Sequence, residues 1–279
     1  ISDRTEMYTQ AYFEYDTKKS FGITKSHLRF GRKPILSTHL VKHADFVACH
    51  NQSYLEKYDI VSEIKQGGTF LLNCSWSEDE LAARLPAHVK RIIAERNISL
   101  YIIDAAKIAR GLGLGGFTNM VLQSAFFHLM PVIPAEEAVG YMKAAAKKTY
   151  FAKGEDVVNR NLAAIDAGKD GLVRIPVPAG WADAQDAPAP KRDVPEVVTK
   201  LLDPINAQRG DELPVSAFRG YEDGVMDMGL TAYEKRGIAT RVPVWDAERC
   251  LQCNRCSYAC PHAVIRPYLL NGEEKAAAP

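Results

Sequence analysis

The sequence predicts an α/β fold, with a mostly parallel sheet covered by helices on both faces. Three observations carry this. Short apolar runs alternate with helical patterns over residues 1–168. Several of those runs are continuously apolar, as strands buried on both faces are. The strand-like and helix-like segments follow one another singly, which is the order of βαβ units.

The elements follow in order. Tyr12-Phe13-Glu14-Tyr15 reads as the first strand of the sheet and Asp45-Phe46-Val47-Ala48-Cys49 as the second. Residues 53–58 suit a short helix. Gly67-Gly68 reads as a turn opening the strand Thr69-Phe70-Leu71-Leu72-Asn73. Ser77-Glu78-Asp79-Glu80 has the form of a capping box, in which each side chain satisfies the other residue's backbone N–H. Leu81, Leu85, Val89, Ile92 and Ile93 then recur at helical spacing. Leu100-Tyr101-Ile102-Ile103-Asp104 is a further strand, and helical patterns cover 119–130, 135–148 and 156–167. Pro134 ahead of Ala135-Glu136-Glu137 suits a helix opening, with acids facing the helix dipole. From Gly171 prolines punctuate the chain and periodicity fades, as in a connector with a short helix at 194–202.

Bulk properties exclude several classes. A formal net charge of +1 over 279 residues argues against a general nucleic-acid or membrane-surface binder. No apolar run reaches the roughly 20 residues that span a bilayer. Ile1-Ser2-Asp3-Arg4-Thr5 shows neither a signal peptide nor an initiator Met, so the chain is expected to begin inside a larger polypeptide.

Four of the six cysteines form one motif: Cys250, Cys253, Cys256 and Cys260, followed by Pro261. This is C-x2-C-x2-C-x3-C-P, the spacing with which bacterial ferredoxins hold [4Fe–4S] clusters. Thiolates are soft ligands for iron–sulfur clusters, zinc and Cu(I). A zinc ribbon needs a second C-x2-C pair, and none is present. In two-cluster ferredoxins the first three cysteines hold one cluster and the fourth reaches the other. His262 reads as a surface residue rather than a ligand. Cys49 and Cys74 each close an apolar run and read as small core residues.

Other motifs are weaker. Gly111-Leu112-Gly113-Leu114-Gly115-Gly116 matches a dinucleotide-binding string, but helical residues 105–110 separate it from the strand. A glycine-rich break into the next helix is the preferred reading, with close approach to another phosphate ligand left open. Lys18-Lys19-Ser20 either holds phosphate or is a solvated turn. His27 and Arg29 either line an anionic-ligand site or join the domain to a neighbour. There is no H-E-x-x-H, no Walker A motif, no defensible Ser/His/Asp set and no carboxylate pair to single out.

Taken together, these residues resemble the pyruvate:ferredoxin (flavodoxin) oxidoreductase family along the whole chain. Residues 15–20, 26–31, 44–50, 67–73 and 115–119 resemble its gamma-type domain, and 230–239 its Glu-Lys-Arg segment. The cysteine run resembles the first half of its two-cluster ferredoxin domain. The resemblance implies four segments: a Rossmann-like gamma-type domain at 1–168, a Pro-rich connector at 169–229, the Glu-Lys-Arg segment at 230–245, and half of a ferredoxin-like module at 246–279. It implies oxidative decarboxylation of pyruvate to acetyl-CoA, with electrons leaving through [4Fe–4S] clusters to ferredoxin or flavodoxin. It further implies a cytoplasmic homodimer, and thiamine diphosphate bound outside this chain. Lys18, Lys19 and Asn119 become candidates for coenzyme A contact, and no residue of the chain is assigned as catalytic. The family's preceding glycine-rich stretch and its second cysteine run are absent, so the expectation is an internal fragment, inactive alone. Two alternatives stand beside it: a complete iron–sulfur electron-transfer subunit, and a zinc-stabilised binding protein.

Overall fold

The computed structural model describes residues 1–16, 22–188, 191–234, 237 and 239–277. It divides into two units, Ile1–Ile238 and Ala239–Pro279.

The first unit is built on a four-stranded sheet in the order β3-β4-β5-β6, beside a separate hairpin of β1 and β2. Strands β3 (Ala44–Cys49), β4 (Ile64–Asn73) and β5 (Ser99–Ile103) run parallel, and β6 (Val173–Ile175) pairs antiparallel with β5. Alternation along the strands sends two cores to opposite faces. Cys49, Phe70, Leu72, Leu100 and Ile102 enter one core, with Leu55, Leu81, Val89, Ile93 and Trp181. Leu71 and Ile103 enter the other, with Ala105, Val121, Ala125 and Ala164. This double burial explains the continuous apolar runs. The first face is covered by helices α1 (Glu78–Arg84) and α2 (Ala87–Glu95) and a 3-10 turn at Gln52–Glu56. The second is covered by α3 (Ala105–Gly111), α4 (Asn119–Leu129) and α6 (Glu155–Asp170). Helix α5 (Ala135–Tyr150) packs outside, where Ala138, Met142 and Ala146 meet Phe127 and Ile165.

Four differences from the sequence reading have physical causes. The strand at 12–15 belongs to β1 (Tyr8–Tyr15), which pairs antiparallel with β2 (Thr24–Gly31) and lies outside the parallel sheet. Only eight residues of sequence lie between the two strands, fewer than the dozen or so that a parallel crossover needs, so they pair antiparallel. Phe30 of this hairpin reaches α4, its ring centroid 6.2 Å from that of Phe126. The helical pattern 81–93 is two helices, because Pro86 lacks an N–H and forces extended backbone on Leu85 (ψ 129°). Gly67-Gly68 sits inside β4, where the register against β3 shifts; Gly67 has φ 70°, and a Cβ on Gly68 would lie 2.6 Å from Ile64 Cγ2. The short helix expected at 194–202 is a π-helical turn at Val198–Leu202, which runs into α7 (Asp203–Asn206).

The capping box forms as expected: Glu80 N donates to Ser77 Oγ at 3.2 Å and Ser77 N to Glu80 Oε2 at 3.0 Å. The connector is held to α2 by Arg91, which donates to Ala184 O at 2.5 Å and to Asp186 Oδ2 at 2.6 Å. Among the described residues no helix is long and apolar enough to cross a membrane.

In the second unit, helix α8 (Arg255–Ala259) carries Cys256 and ends at Cys260, and α9 (Gly272–Ala277) closes the described chain. Its large apolar residues, including Trp245, Leu251, Tyr258, Tyr268 and Leu269, are all exposed.

Candidate metal centre

The cysteine segment is built as turn, helix and turn. Asp246 Oδ1 accepts the N–H groups of Glu248 and Arg249 at 3.1 and 3.3 Å, which folds the approach to Cys250. Asn254, left-handed at φ 58°, starts α8, and Pro261 follows its C-cap, Cys260. Cys253 and Cys256 are exposed, Cys250 and Cys260 half-buried, and all four are free thiols. Cys250 Sγ accepts the N–H of Gln252 at 3.4 Å, and Cys260 Sγ that of Val264 at 3.4 Å.

These donors favour the thiolate. The Trp245 indole, then the Gln252 amide, hold the Cys250 thiol below its usual range. At Cys260 the amide of Val264, followed by that of His262, acts the same way. Among the described residues no three His, Cys, Asp or Glu side chains converge as a metal cage. The run thus sits on one short stretch with its sulfurs not drawn into a common site. Its donor set still fits an iron–sulfur group: four free soft thiols, two of them already receiving the N–H bonds that a cluster sulfur takes. His262 is exposed.

The remaining candidates fall elsewhere. Lys18 and Lys19 lie outside the described residues. Asn119 is the exposed first residue of α4. His27 is buried in the hairpin, its Nε2 3.2 Å from Glu14 Oε2 and its Nδ1 accepting the Val41 N–H at 3.3 Å. Both ring nitrogens are taken, so the anionic-ligand reading loses His27. The glycine string caps α3: Leu114 N donates to Ala109 O at 2.8 Å and Gly113 N to Arg110 O at 3.0 Å, with Gly113 at φ 71°. That is a Schellman motif at a helix end, not a strand-to-helix dinucleotide loop.

Sequence reasoning passed over the carboxyl end of the sheet. Asn73 donates to His50 O at 3.0 Å and accepts the Ala105 N–H at 3.0 Å, so it ties β3, β4 and α3 together. His50 is reached by solvent, yet protein atoms crowd it enough to push its pKa down. The buried indole N–H of Trp76 has no partner among the described residues. An amide side chain ending a strand was the one available signal for Asn73.

Comparison with known families matches residues 1–171 to pyruvate ferredoxin/flavodoxin oxidoreductase, more than half of the chain. The chain belongs to this family. Residues 183–239 match the EKR domain, a domain of unknown function, and 242–265 match a 4Fe–4S binding domain. The chain is 52% identical over 280 residues to the pyruvate:ferredoxin oxidoreductase of Moorella thermoacetica. It is 52% identical over 281 residues to the pyruvate-flavodoxin oxidoreductase of Klebsiella pneumoniae. Each alignment takes in all of this chain and 24% of the relative, so the chain spans about a quarter of the length of the curated relatives it matches. Among solved structures, the pyruvate oxidoreductase subunit PORC of Thermotoga maritima aligns with TM-score 0.46 and 18% identity, over 60% of this chain and 82% of that one.

Proposed function

We propose that this chain serves a pyruvate:ferredoxin/flavodoxin oxidoreductase, which oxidatively decarboxylates pyruvate to acetyl-CoA and delivers the electrons to ferredoxin or flavodoxin. The observation that carries this is the C-x2-C-x2-C-x3-C-P run, in a segment matching a 4Fe–4S binding domain, behind an α/β domain of the family. The chain divides its work among the gamma-type domain at 1–168, the connector at 169–229, the Glu-Lys-Arg segment at 230–245 and the iron–sulfur segment at 246–279.

Cys250, Cys253 and Cys256 hold one [4Fe–4S] cluster, and Cys260 reaches a second. Bound there, the clusters supply one-electron transfer. The cysteines would bind as thiolates, a form that the N–H groups at Cys250 and Cys260 favour at those two sulfurs. Arg255 and Arg266, with Arg249 ion-paired to Asp246 at 3.5 Å, either favour an acidic redox partner or form a solvated face. Lys18, Lys19 and Asn119 contact coenzyme A; lysines meet its phosphates as point charges, and Asn119 offers amide hydrogen bonds. Thiamine diphosphate binds outside this chain, and the working enzyme is a cytoplasmic homodimer.

The test is anaerobic loading of the full-length protein with iron and sulfide, followed by iron and labile-sulfide analysis and an assay of coenzyme A-dependent ferredoxin reduction by pyruvate. Clusters bound and pyruvate turned over is the expected result. Tight zinc without iron would remove the redox reading. A stable, stoichiometric [4Fe–4S] cluster on residues 1–279 alone would favour a self-sufficient electron-transfer subunit instead.

A further inference from the structure

The segment that joins the hairpin to the sheet is held down by side chains of the hairpin. Residues 32–43 leave β2 at Gly31 and enter β3 at Ala44 without forming a helix or strand. Gln10 Nε2 donates to Ser37 O at 2.6 Å, and Val41 N donates to His27 Nδ1 at 3.3 Å. His27 is 7% exposed, and its Nε2 lies 3.2 Å from Glu14 Oε2.

Those two contacts settle the form of the ring. A backbone N–H can only donate, so Nδ1 accepts and carries no proton. The Glu14 carboxylate can only accept, so Nε2 carries the proton and donates it. His27 is therefore a neutral imidazole wedged between a donor and an acceptor. A second proton has one place to go, which is Nδ1. There it faces the Val41 N–H, two donors oppose each other, and the bond is lost. The bond to Glu14 survives, because Nε2 donates in both forms. Protonation thus strikes residues 32–43 and spares the hairpin.

The charges around the ring act in the same direction. The pairings Tyr12↔His27, Glu14↔Lys25 and Gln10↔Arg29 set these six residues on one face of the hairpin, with Asp16 just beyond β1. Arg29 is engaged, its Nη1 donating to Gln10 Oε1 at 2.8 Å. Residues 32–43 carry Arg32, Lys33, His39, Lys42 and His43 and no carboxylate, with Lys42 paired to Glu63 at 3.6 Å. A charged His27 would meet a segment of its own sign.

We propose that His27 is a pH-sensitive latch: as the neutral ring it pins residues 32–43 to the hairpin through Val41, and on protonation it lets that segment go. Imidazole is the side chain that takes up a proton between about pH 5 and 8, well above the carboxylates. The latch holds at the top of that range and opens toward the bottom. It lies within the α/β unit and is independent of the iron–sulfur and coenzyme A readings.

The test is amide hydrogen exchange, followed by mass spectrometry, on the full-length protein carrying this chain, from pH 8 to pH 5 and corrected for the intrinsic effect of pH. Peptides covering 32–43 should lose about three- to tenfold in protection as pH falls, the worth of one hydrogen bond. Peptides covering β4 and β5 should keep theirs; a matching loss there would mean general acid unfolding and overturn the latch. His27→Asn puts an amide oxygen in place of Nδ1 and does not titrate, so its 32–43 should stay protected throughout. Protection at 32–43 that ignores pH in the unsubstituted protein would overturn the inference. So would an equal loss in His27→Asn, which would move the effect to His39 or His43. If His27→Asn does not fold, exchange of the imidazole Cε1 hydrogen in the unsubstituted protein decides. The midpoint of His27 protonation should coincide with the midpoint of lost protection at 32–43, and midpoints more than about one pH unit apart overturn the inference.

Discussion

Cys49 carries the same thiol as the cysteines of the run, and its surroundings give it opposite chemistry. Burial pushes Cys49 up from 9.0 to about 12, against a partly offsetting hydrogen bond with Asn51, and burial pushes Cys74 up to about 11. At neutral pH both are protonated and inert, whereas the amides at Cys250 and Cys260 favour thiolate. The sign of the effect on stability follows. Below pH 9 the Cys49 proton is held whether the chain is folded or not. Above it the unfolded chain releases that proton and the folded one keeps it, so stability falls as pH rises from 9 toward 12. The loss approaches about 1.4 kcal/mol per pH unit in that window. Urea midpoints measured at pH 8, 9.5 and 10.5 should therefore fall more steeply in the unsubstituted protein than in Cys49→Ala, and parallel slopes would show that Cys49 is not the buried acid described here.

Helix contacts show where a single methyl group decides stability. Gly168 of α6 lies so close to α4 that a Cβ would stand 2.6 Å from both Ser124 Cβ and Val121 O. Val121 O is backbone and has nowhere to retreat, so Gly168→Ala is expected to destabilise by about 1–3 kcal/mol or more through overpacking. Gly111, the last residue of α3, meets nothing within 4 Å, and its φ is not positive. Gly111→Ala should instead stabilise by about 0.4–1 kcal/mol, by restricting the unfolded chain. Thermal melts of the two variants side by side check the pair, and equal shifts would contradict the packing argument. Neither contact was legible in the sequence, because a glycine reads alike whether it faces a neighbour or open space. What was legible is local. The capping box at Ser77 and Glu80, and the apolar strands 45–49, 69–73 and 100–104, appear where the pattern placed them, since their causes lie within a few residues. The hairpin was missed as a hairpin because Tyr12, Phe13 and Tyr15 look like buried strand residues, yet they stand exposed. The short β6 was missed because three residues in a proline-rich stretch carry no period.

The two units of the molecule differ in what holds them together. The first has its own cores, with Phe70, Leu71, Leu72, Val89 and Ile93 fully buried, and each such side chain contributes about 1.5–3 kcal/mol. In the second, Val242, Val244, Trp245, Leu251, Tyr258, Val264, Ile265, Tyr268, Leu269 and Leu270 are all exposed, so little apolar burial stabilises it. The cysteine spacing marks four candidate ligands, and among the described residues their sulfurs do not close into a cage. Where burial is this slight, a metal group bound by the cysteines would supply folding free energy, as in small metal-dependent domains. Iron removal should then act on one unit only. Hydrogen exchange of the loaded full-length protein is expected to show protected amides in β4 and β5 and around Cys250–Cys260. After anaerobic chelation the amides of 242–277 should exchange within seconds, while those of Phe70, Leu71, Leu72 and Ile102 keep their protection. Loss of protection in β4 and β5 on chelation would mean that the α/β unit draws its stability from the metal, contrary to the core described. Unchanged protection in 242–277 would mean that the cysteine segment is held by packing rather than by its ligands.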